Sequence, residues 1–450
     1  MSTRISDSHD ERLGREPGPA YQRGWMMEST NEREVWVGLD WGDQEHAVAL
    51  LTPATGQVAR FTVPHTAAGM AQLRERLAAA GVVRGVAIER PRHLVVDELL
   101  AAGYTVYPIN PKVAKAWREG TGVQASKTDA RDAAMLAWGL FQRRAELRAL
   151  APDDPQTAEL LGLCRDEMKL IDQRTEAVQR LQAALKAYYP EALEWFDDWT
   201  RPTAWAFITM FPDPAALRAA SRKKLCAFFK TRGLGLRSCW LAKIDGRSGA
   251  PAWCGNAVTA RVESFFAAAL VHQLRALQIA LDAYRKRIDS LYQAHPDAAI
   301  FTSLPGAGEK LAPRLLVCFG ADRSRYDDAG GPQKLSGVVP VEVQSGDKGK
   351  AVFRWACRPE FRDTMHLFAD CSRRRCAWAQ AFYVHARQSG QGHALALRNL
   401  GAKWLKIIFR MWQERQPYDE ARYLNALIKH GSPLLPRMRE AAAKNSAPCG

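Results

Sequence analysis

The chain contains no run approaching the roughly 20 uninterrupted apolar residues that span a bilayer, and its polar first 33 residues have no apolar centre of the kind a secretory signal needs. A membrane-embedded or secreted protein is therefore not expected, and the cytoplasm is the expected compartment. Zinc-ligand spacing is also missing. The nine cysteines, at 164, 226, 239, 254, 318, 357, 371, 376 and 449, form no C-x-x-C pair and have no histidine at finger spacing. An odd number at irregular intervals is no disulfide framework; it reads as reduced thiols used mainly as small buried hydrophobes, with the one close pair, Cys371 and Cys376, expected on a basic helix. Acidic residues are in short supply: 48 Asp plus Glu stand against 63 Lys plus Arg, leaving a net charge of +15 and a pI near 9.5. That excess attracts polyanions, so nucleic acid is the expected partner. What the 450 residues do hold is 47% hydrophobic and 25% charged side chains, enough for two or three domains with cores of their own.

Residues 1–33 carry many charges and few apolar positions, which predicts a disordered leader, and the fold is expected to start near Glu34. The runs 35–40 and 47–51 read as a strand hairpin, 57–63 as a third strand, 66–80 as a helix, and 85–89 as a fourth strand that ends in a carboxylate. A helix over 95–102, a strand over 105–109 and a helix over 129–145 complete a mixed α/β domain spanning 34–150. Residues 151–296 are predicted helical: 153–189 and 257–294 have helical apolar spacing, which suits an antiparallel coiled coil and equally suits dimerisation. Between them, about 195–255, lie Trp195, Trp199, Trp205, Trp240 and Trp253 with the basic runs Ser221–Lys224 and Lys230–Arg232. This reads first as a small tryptophan-rich core, with a surface that grips a single strand or an RNA loop as the alternative. Residues 297–432 form a mainly helical third region, and 433–450 a loose tail. In that third region Leu304-Pro305-Gly306-Ala307-Gly308 resembles the turn of a helix-hairpin-helix module, whose amides face a phosphate; steric need alone also puts glycine at such turns.

The residue types with the most chemical content are carboxylates. Asp40 closes the first strand and Glu89 the fourth, so neighbouring strands would project both from one sheet edge. Asp129 and Asp132, three apart at a helix start, share a face. Singly, each has an ordinary explanation: a turn residue, a partner for Arg90, a helix cap or a partner of the helix dipole. Together they form an oxygen-only set suited to Mg2+ or Mn2+, and paired ions of that kind support phosphoryl transfer.

The segments Gly38-Leu39-Asp40-Trp41, Ala87-Ile88-Glu89-Arg90 and Lys127-Thr128-Asp129-Ala130-Arg131-Asp132-Ala133 resemble the D, E and D-x-x-D motifs of the DEDD transposases of bacterial insertion sequences, insertion-sequence family one-ten, related to the Piv-type invertases. The resemblance resumes over Ser303–Gly308, Phe319-Gly320, Arg325-Tyr326, Lys334–Pro340, Gln344–Gly349 and 392–424, which are similar to that family's C-terminal transposase domain. It covers roughly 34–150 and 297–430.

This resemblance implies an RNase H-like, RuvC-like N-terminal domain, and DEDD carboxylates Asp40, Glu89, Asp129 and Asp132 that hold Mg2+, with Mn2+ as the substitute. It further implies a C-terminal serine that joins covalently to DNA, here Ser345, which by its own sequence context is only a polar turn residue. Donor and target DNA, a structured bridge RNA that selects them by base pairing, and a dimer or tetramer follow as implied partners. Three stretches depart from the family pattern. The leader and the insertion at 195–255 match no motif, and 351–362 carries Phe353-Arg354-Trp355-Ala356-Cys357-Arg358 where a basic Ser-Lys-Arg-Gly run is usual. Lys348, Lys350 and Arg354 follow the serine as candidate phosphate contacts or as ordinary loop cations.

The leading expectation is an RNA-guided, metal-dependent serine recombinase of a mobile element, whether its outcome is transposition or inversion. A RuvC-like structure-selective nuclease that uses water and not Ser345 is the alternative. A non-catalytic nucleic-acid-binding protein is the third reading, and it predicts that Asp40 and Glu89 can be neutralised without loss.

Overall fold

The computed structural model describes residues 33–89, 93–120, 128–235, 238–246, 256–345, 348–432, 434–436 and 438. The expected leader, apart from Arg33, therefore lies outside the described residues, as do Arg90, Lys127, Trp253 and nearly all of the expected tail. The chain divides into two units, Met1–Ala151 and Pro152–Gly450.

The first unit is built from β1 (Glu34–Asp40), β2 (Glu45–Thr52), β3 (Gln57–Pro64), α1 (Ala67–Ala79), β4 (Val82–Ile88), α2 (Leu94–Ala101), β5 (Val106–Pro108), α3 (Pro111–Gly120) and α4 (Asp129–Arg143). Its sheet runs β3-β2-β1-β4-β5, antiparallel across the first three strands and parallel from β1 through β4 to β5. This is the mixed sheet expected from the strand order. β1 reads Val-Trp-Val-Gly-Leu with no polar alternation because both of its faces are covered. Val35, Val37 and Leu39 point to one face, where Met70, Leu73 and Leu77 of α1 and Val95, Val96 and Leu99 of α2 bury them. Trp36 points to the other, against Ala114 and Trp117 of α3 and Leu136, Ala137 and Leu140 of α4.

Gly38 sets how closely α4 lies on the sheet. A Cβ at this position would stand 1.9 Å from the carbonyl oxygen of Ala133, so only glycine lets the helix settle there. That contact fixes the first turn of α4 near the C-terminal end of β1.

In the second unit α5 (Pro155–Tyr188) and α10 (Ala257–Gln293) run antiparallel along each other, as the ties of Gln156 to Leu291, Glu159 to Arg287, Glu167 to Arg285 and Arg174 to Gln278 show. The pairing is thus made within one chain. Between them come α6 (Pro202–Met210), α7 (Pro214–Ala219), α8 (Arg222–Thr231) and α9 (Ser238–Gly246). Here Trp195, Trp199 and Trp205 are buried with Phe207, Phe211, Phe228 and Phe229, and Trp240 stacks on Trp195. The tryptophan-rich stretch is therefore a small core capping the far ends of the two long helices. By length and composition α10 is apolar enough to cross a membrane. Its ion pairs to Glu167 and Glu159 hold it beside α5.

The remaining elements are α11 (Ala298–Thr302), α12 (Gly308–Phe319), α13 (Gly330–Leu335), the hairpin β6 (Val341–Ser345) and β7 (Lys348–Val352), α14 (Pro359–Arg373), α15 (Ala377–Gln388), α16 (His393–Glu414) and α17 (Glu420–Lys429). They enclose a core in which Phe319, Phe361, Phe368, Trp378, Trp404 and Trp412 join Leu160, Cys164, Ile288 and Tyr292 from the near ends of α5 and α10. Gly306 has φ 84°, and a Cβ there would meet the α14 backbone at Cys371, 2.8 Å away. Steric need accounts for this turn. Cys371 lies on α14 and Cys376 caps α15, so the two are divided by a turn and do not share the helix expected for them.

Candidate active site

The parallel pairing of β1 with β4 sets Leu39 opposite Ile88, and so brings the next residues, Asp40 and Glu89, to the same edge of the sheet. Asp132 reaches that edge from α4, whose start is marked by Thr128 in an extended conformation. The Asp132 carboxylate is buried, with 5% of its side chain exposed, whereas Asp129 in the same helical turn faces solvent. The two aspartates expected to act alike thus sit in different surroundings.

A cation stands among the carboxylates. Arg118 of α3 donates from Nε to Asp132 Oδ1 at 2.8 Å, and its Nη2 is 3.5 Å from Glu89 Oε1. The hydrogen bond to Asp132 chiefly raises its pKa; partial burial opposes this, and the charges of Asp132, Glu89 and Asp40 add to it. The neighbouring Trp117 anchors the helix, since its ring lies where Gly139 of α4 has no side chain and a Cβ would come within 2.2 Å. No α3 was expected from the sequence, so Arg118 went unnoticed. The weak signal for it is Ala114 and Trp117, three apart and both buried.

A second group flanks Asp40. Trp41 stacks on His93 at 4.2 Å between ring centres and 14° between planes. His46 is fully buried and lies 2.9 Å from His65 Nδ1 through its Nε2, while the Gly42 N–H approaches His46 Nδ1 at 3.4 Å. With Nδ1 accepting, the neutral ring carries its proton on Nε2 and donates it to His65. Burial, then the neighbouring His65 and His93, push the His46 pKa down.

Among the described residues, no three His, Cys, Asp or Glu side chains are close enough to cage an ion by themselves. The donor chemistry nevertheless suits a hard divalent cation: the oxygens of Asp40, Glu89 and Asp132 share one edge, and a positive group, Arg118, already stands between two of them.

Ser345 ends β6 and pairs with Lys348 at the start of β7; its side chain lies outside the described residues. The position read as a polar turn is thus the last strand residue of a hairpin. Lys350 faces Val343 across that hairpin, and Arg354 donates to the carbonyl oxygens of Val339 and Pro340 at 3.3 and 3.2 Å. Arg354 therefore has a structural task.

Two family models match the chain, one in its N-terminal and one in its C-terminal part. The DEDD model of the IS110 group, described as "Transposase", matches residues 37–190, and the model described as "Transposase IS116/IS110/IS902 family" matches residues 298–384. The chain is similar to the mini-circle putative transposase for IS117 of Streptomyces coelicolor, 29% identical over 406 residues that cover 88% of this chain and 98% of that protein. It is similar also to the insertion element IS110 uncharacterized 43.6 kDa protein of the same organism, 24% identical over 87% of this chain and 97% of that one. The putative transposase y4uE of Sinorhizobium fredii is 32% identical over 182 residues, 39% of this chain and 50% of that protein.

Proposed function

Since the chain belongs to the IS110 family of transposases, we propose that it is an RNA-guided, site-specific DNA recombinase that cuts and rejoins donor and target DNA through a covalent serine–DNA intermediate. The observation that carries the carboxylate half of this reading is the register of β1 on β4, which delivers Asp40 and Glu89 to one edge beside Asp132. Asp40, Glu89, Asp129 and Asp132 would hold Mg2+, or Mn2+ in its place. Such an ion supplies charge neutralisation at the scissile phosphate. Arg118 balances Asp132 and Glu89. With a divalent cation supplying that balance, its guanidinium would be available to phosphate oxygens beside the cluster.

Ser345 is the proposed nucleophile. Its hydroxyl loses a proton to a base, and its oxygen forms a bond to phosphorus as the bond to the leaving sugar oxygen breaks, giving one phosphoserine-linked end and one free hydroxyl end. Attack by the hydroxyl of a second DNA end reverses the step, returns the serine and seals the new joint. The net charge of +15 supports a long polyanionic contact, and a structured guide RNA that pairs with both DNAs supplies the sequence choice. Two duplexes handled at once call for a dimer or tetramer.

The second reading is a RuvC-like nuclease in which water attacks. It draws support from the carboxylates all lying in the first unit while Ser345 lies in the second. The test uses protein co-expressed with its own flanking non-coding DNA, given Mg2+ and labelled donor and target duplexes, for wild type, Ser345→Ala and Asp40→Ala. An SDS-resistant protein–DNA adduct formed by the wild type alone, with a discrete co-purifying RNA, is the expected result. Metal-dependent cleavage that survives Ser345→Ala and leaves no adduct would establish the hydrolytic enzyme instead.

A further inference from the structure

Beyond the hairpin of Ser345 the chain builds a cluster that neither the carboxylates nor the serine uses. The Phe353 ring has two guanidinium groups over it, Arg362 at 4.8 Å and Arg398 at 5.0 Å from its centre. Trp355 stands edge-on to the same ring at 4.7 Å and 72°, with Arg362 5.8 Å from its own centre. Arg362 comes from the first turn of α14 and Arg398 from α16, so two separate helices bring the charges together.

Two features of this cluster are unbalanced. The first is charge. Among the described residues no carboxylate lies within ion-pair distance of Arg354, Arg362 or Arg398; Arg354 and Arg362 are held by backbone carbonyls, and Arg362 also by the Cys357 thiol. Asp363 is near enough to feel Arg362 without reaching it. Burial and then the charge of Arg362 push the Arg398 pKa down, and burial, then Arg398, Arg362 and His393, push His366 down against the opposing charge of Asp363. Half-buried like charges held together in this way await an anion.

The second is apolar surface. Trp355 is 71% exposed, while Trp195, Trp199 and Trp205 of the tryptophan-rich stretch are buried in the small core first expected of them. A large aromatic side chain left in solvent beside unneutralised guanidinium groups is the arrangement that binds unstacked bases: the ring takes the base face and the cations take the phosphates on either side. A base within a duplex cannot offer that face.

We propose that Trp355, Arg362 and Arg398 form a binding site for one unpaired nucleotide and its flanking phosphates, with the base stacked on the Trp355 indole and the phosphates held by the two guanidinium groups. The proposal rests on the reading that this chain acts on nucleic acid, and it is independent of the metal and of Ser345. The same chemistry serves an unpaired stretch of RNA or of DNA, and the test separates the two.

The full-length protein in EDTA, where no metal-dependent cutting intervenes, is titrated against fluorescein-labelled 15-nucleotide single-stranded DNA, the matching RNA and the blunt duplex, by anisotropy over a range of salt. Trp355→Ala is expected to weaken binding of at least one single strand about tenfold and to leave the duplex within about twofold, with Trp355→Phe close to wild type. Arg398→Gln is expected to lower the salt dependence for that strand by about one ion. Whichever single strand loses affinity identifies the source. A 5-iodouracil placed in that strand should photocrosslink to Trp355, read by peptide mapping. Equal losses on single strand and duplex, no change for Trp355→Ala, or crosslinks that fall elsewhere would each overturn the site. None of these outcomes depends on adduct formation, so a failed serine mechanism and a failed nucleotide site are told apart.

Discussion

Arg118 and Asp132, fourteen residues apart on two different helices, are joined Nε to Oδ1 at 2.8 Å, and through that bond a cation stands between Asp132 and Glu89. The carboxylate is nearly buried while the guanidinium keeps 31% of its side chain in solvent, so the acid is the partner that cannot do without the other.

Arg118→Ala should therefore lower the melting temperature of the metal-free protein, with a cost of about 2 kcal/mol once solvent screening of the exposed arginine is allowed for. Mg2+ should then raise the melting temperature of the variant by more than that of the wild type, because the ion meets no resident competitor. Scanning calorimetry in EDTA and in Mg2+ reads both. Identical melting of variant and wild type in both buffers would mean that Arg118 is not the counter-charge.

Gly38→Ala puts a methyl group into the Ala133 carbonyl. Overpacking at such a contact costs about 1–3 kcal/mol, here at the upper end because the obstacle is backbone. The lifted α4 carries Asp132 with it, so DNA cleavage should fall further than the loss of folded protein explains. Urea unfolding and a cleavage assay at a temperature where the variant is fully folded separate the two effects.

Glu167 is a buried carboxylate shared by Arg314 at 2.8 Å and Arg285 at 3.2 Å, and it ties α5 to both α10 and α12. Glu167→Ala leaves Arg314 charged and unpaired inside the protein, which should cost about 3–5 kcal/mol. Glu167→Gln keeps an acceptor and should cost less than half of that. If both variants unfold at the wild-type denaturant midpoint, the bridge contributes nothing.

His46 has its pKa pushed below the ordinary 6.5 by burial and by His65 and His93, so the folded state binds fewer protons than the unfolded one below that pH. Its contribution is complete above pH 6.5 and is lost as the pH falls through the lowered folded value. The wild type should lose thermal stability between pH 7 and about pH 5 by more than His46→Gln does. Parallel pH–stability curves for the two would remove His46 from the account.

The strands were legible because the chain writes them locally, whereas the register of β1 on β4 came only with the fold. Val35 to Leu39 and Val86 to Ile88 are unbroken apolar runs, each followed by a carboxylate, and a sheet with both faces covered requires that pattern. The long helices were equally plain from their spacing, but spacing alone left pairing within the chain and dimerisation equally open, and only contacts such as Glu159 to Arg287 decide it. α3 was not read, since ten residues with two buried positions give only a short signal, and the value of Arg118 lies in partners 14 and 29 residues away. The histidine group was missed for the same reason: His46, His65 and His93 come from three different segments, and only the folded sheet brings them together. Ser345 was read as a turn because Val-Glu-Val-Gln-Ser is too short to announce a strand without the partner it finds in 348–352.

The α5–α10 pair has a mechanical side. At 1.5 Å per residue, the 34 residues of α5 make a rod about 50 Å long, with the tryptophan core at one end and the C-terminal core at the other. Glu167 and its two arginines clamp the rod about a third of the way along. The stretch from Glu167 to Tyr188 is then a lever about 30 Å long, and a tilt of about 5° at the clamp would move its tip by about 3 Å. A tilt at Glu167 would therefore displace the tryptophan core at the tip more than it disturbs the packing around Phe319 and Trp412 at the other end.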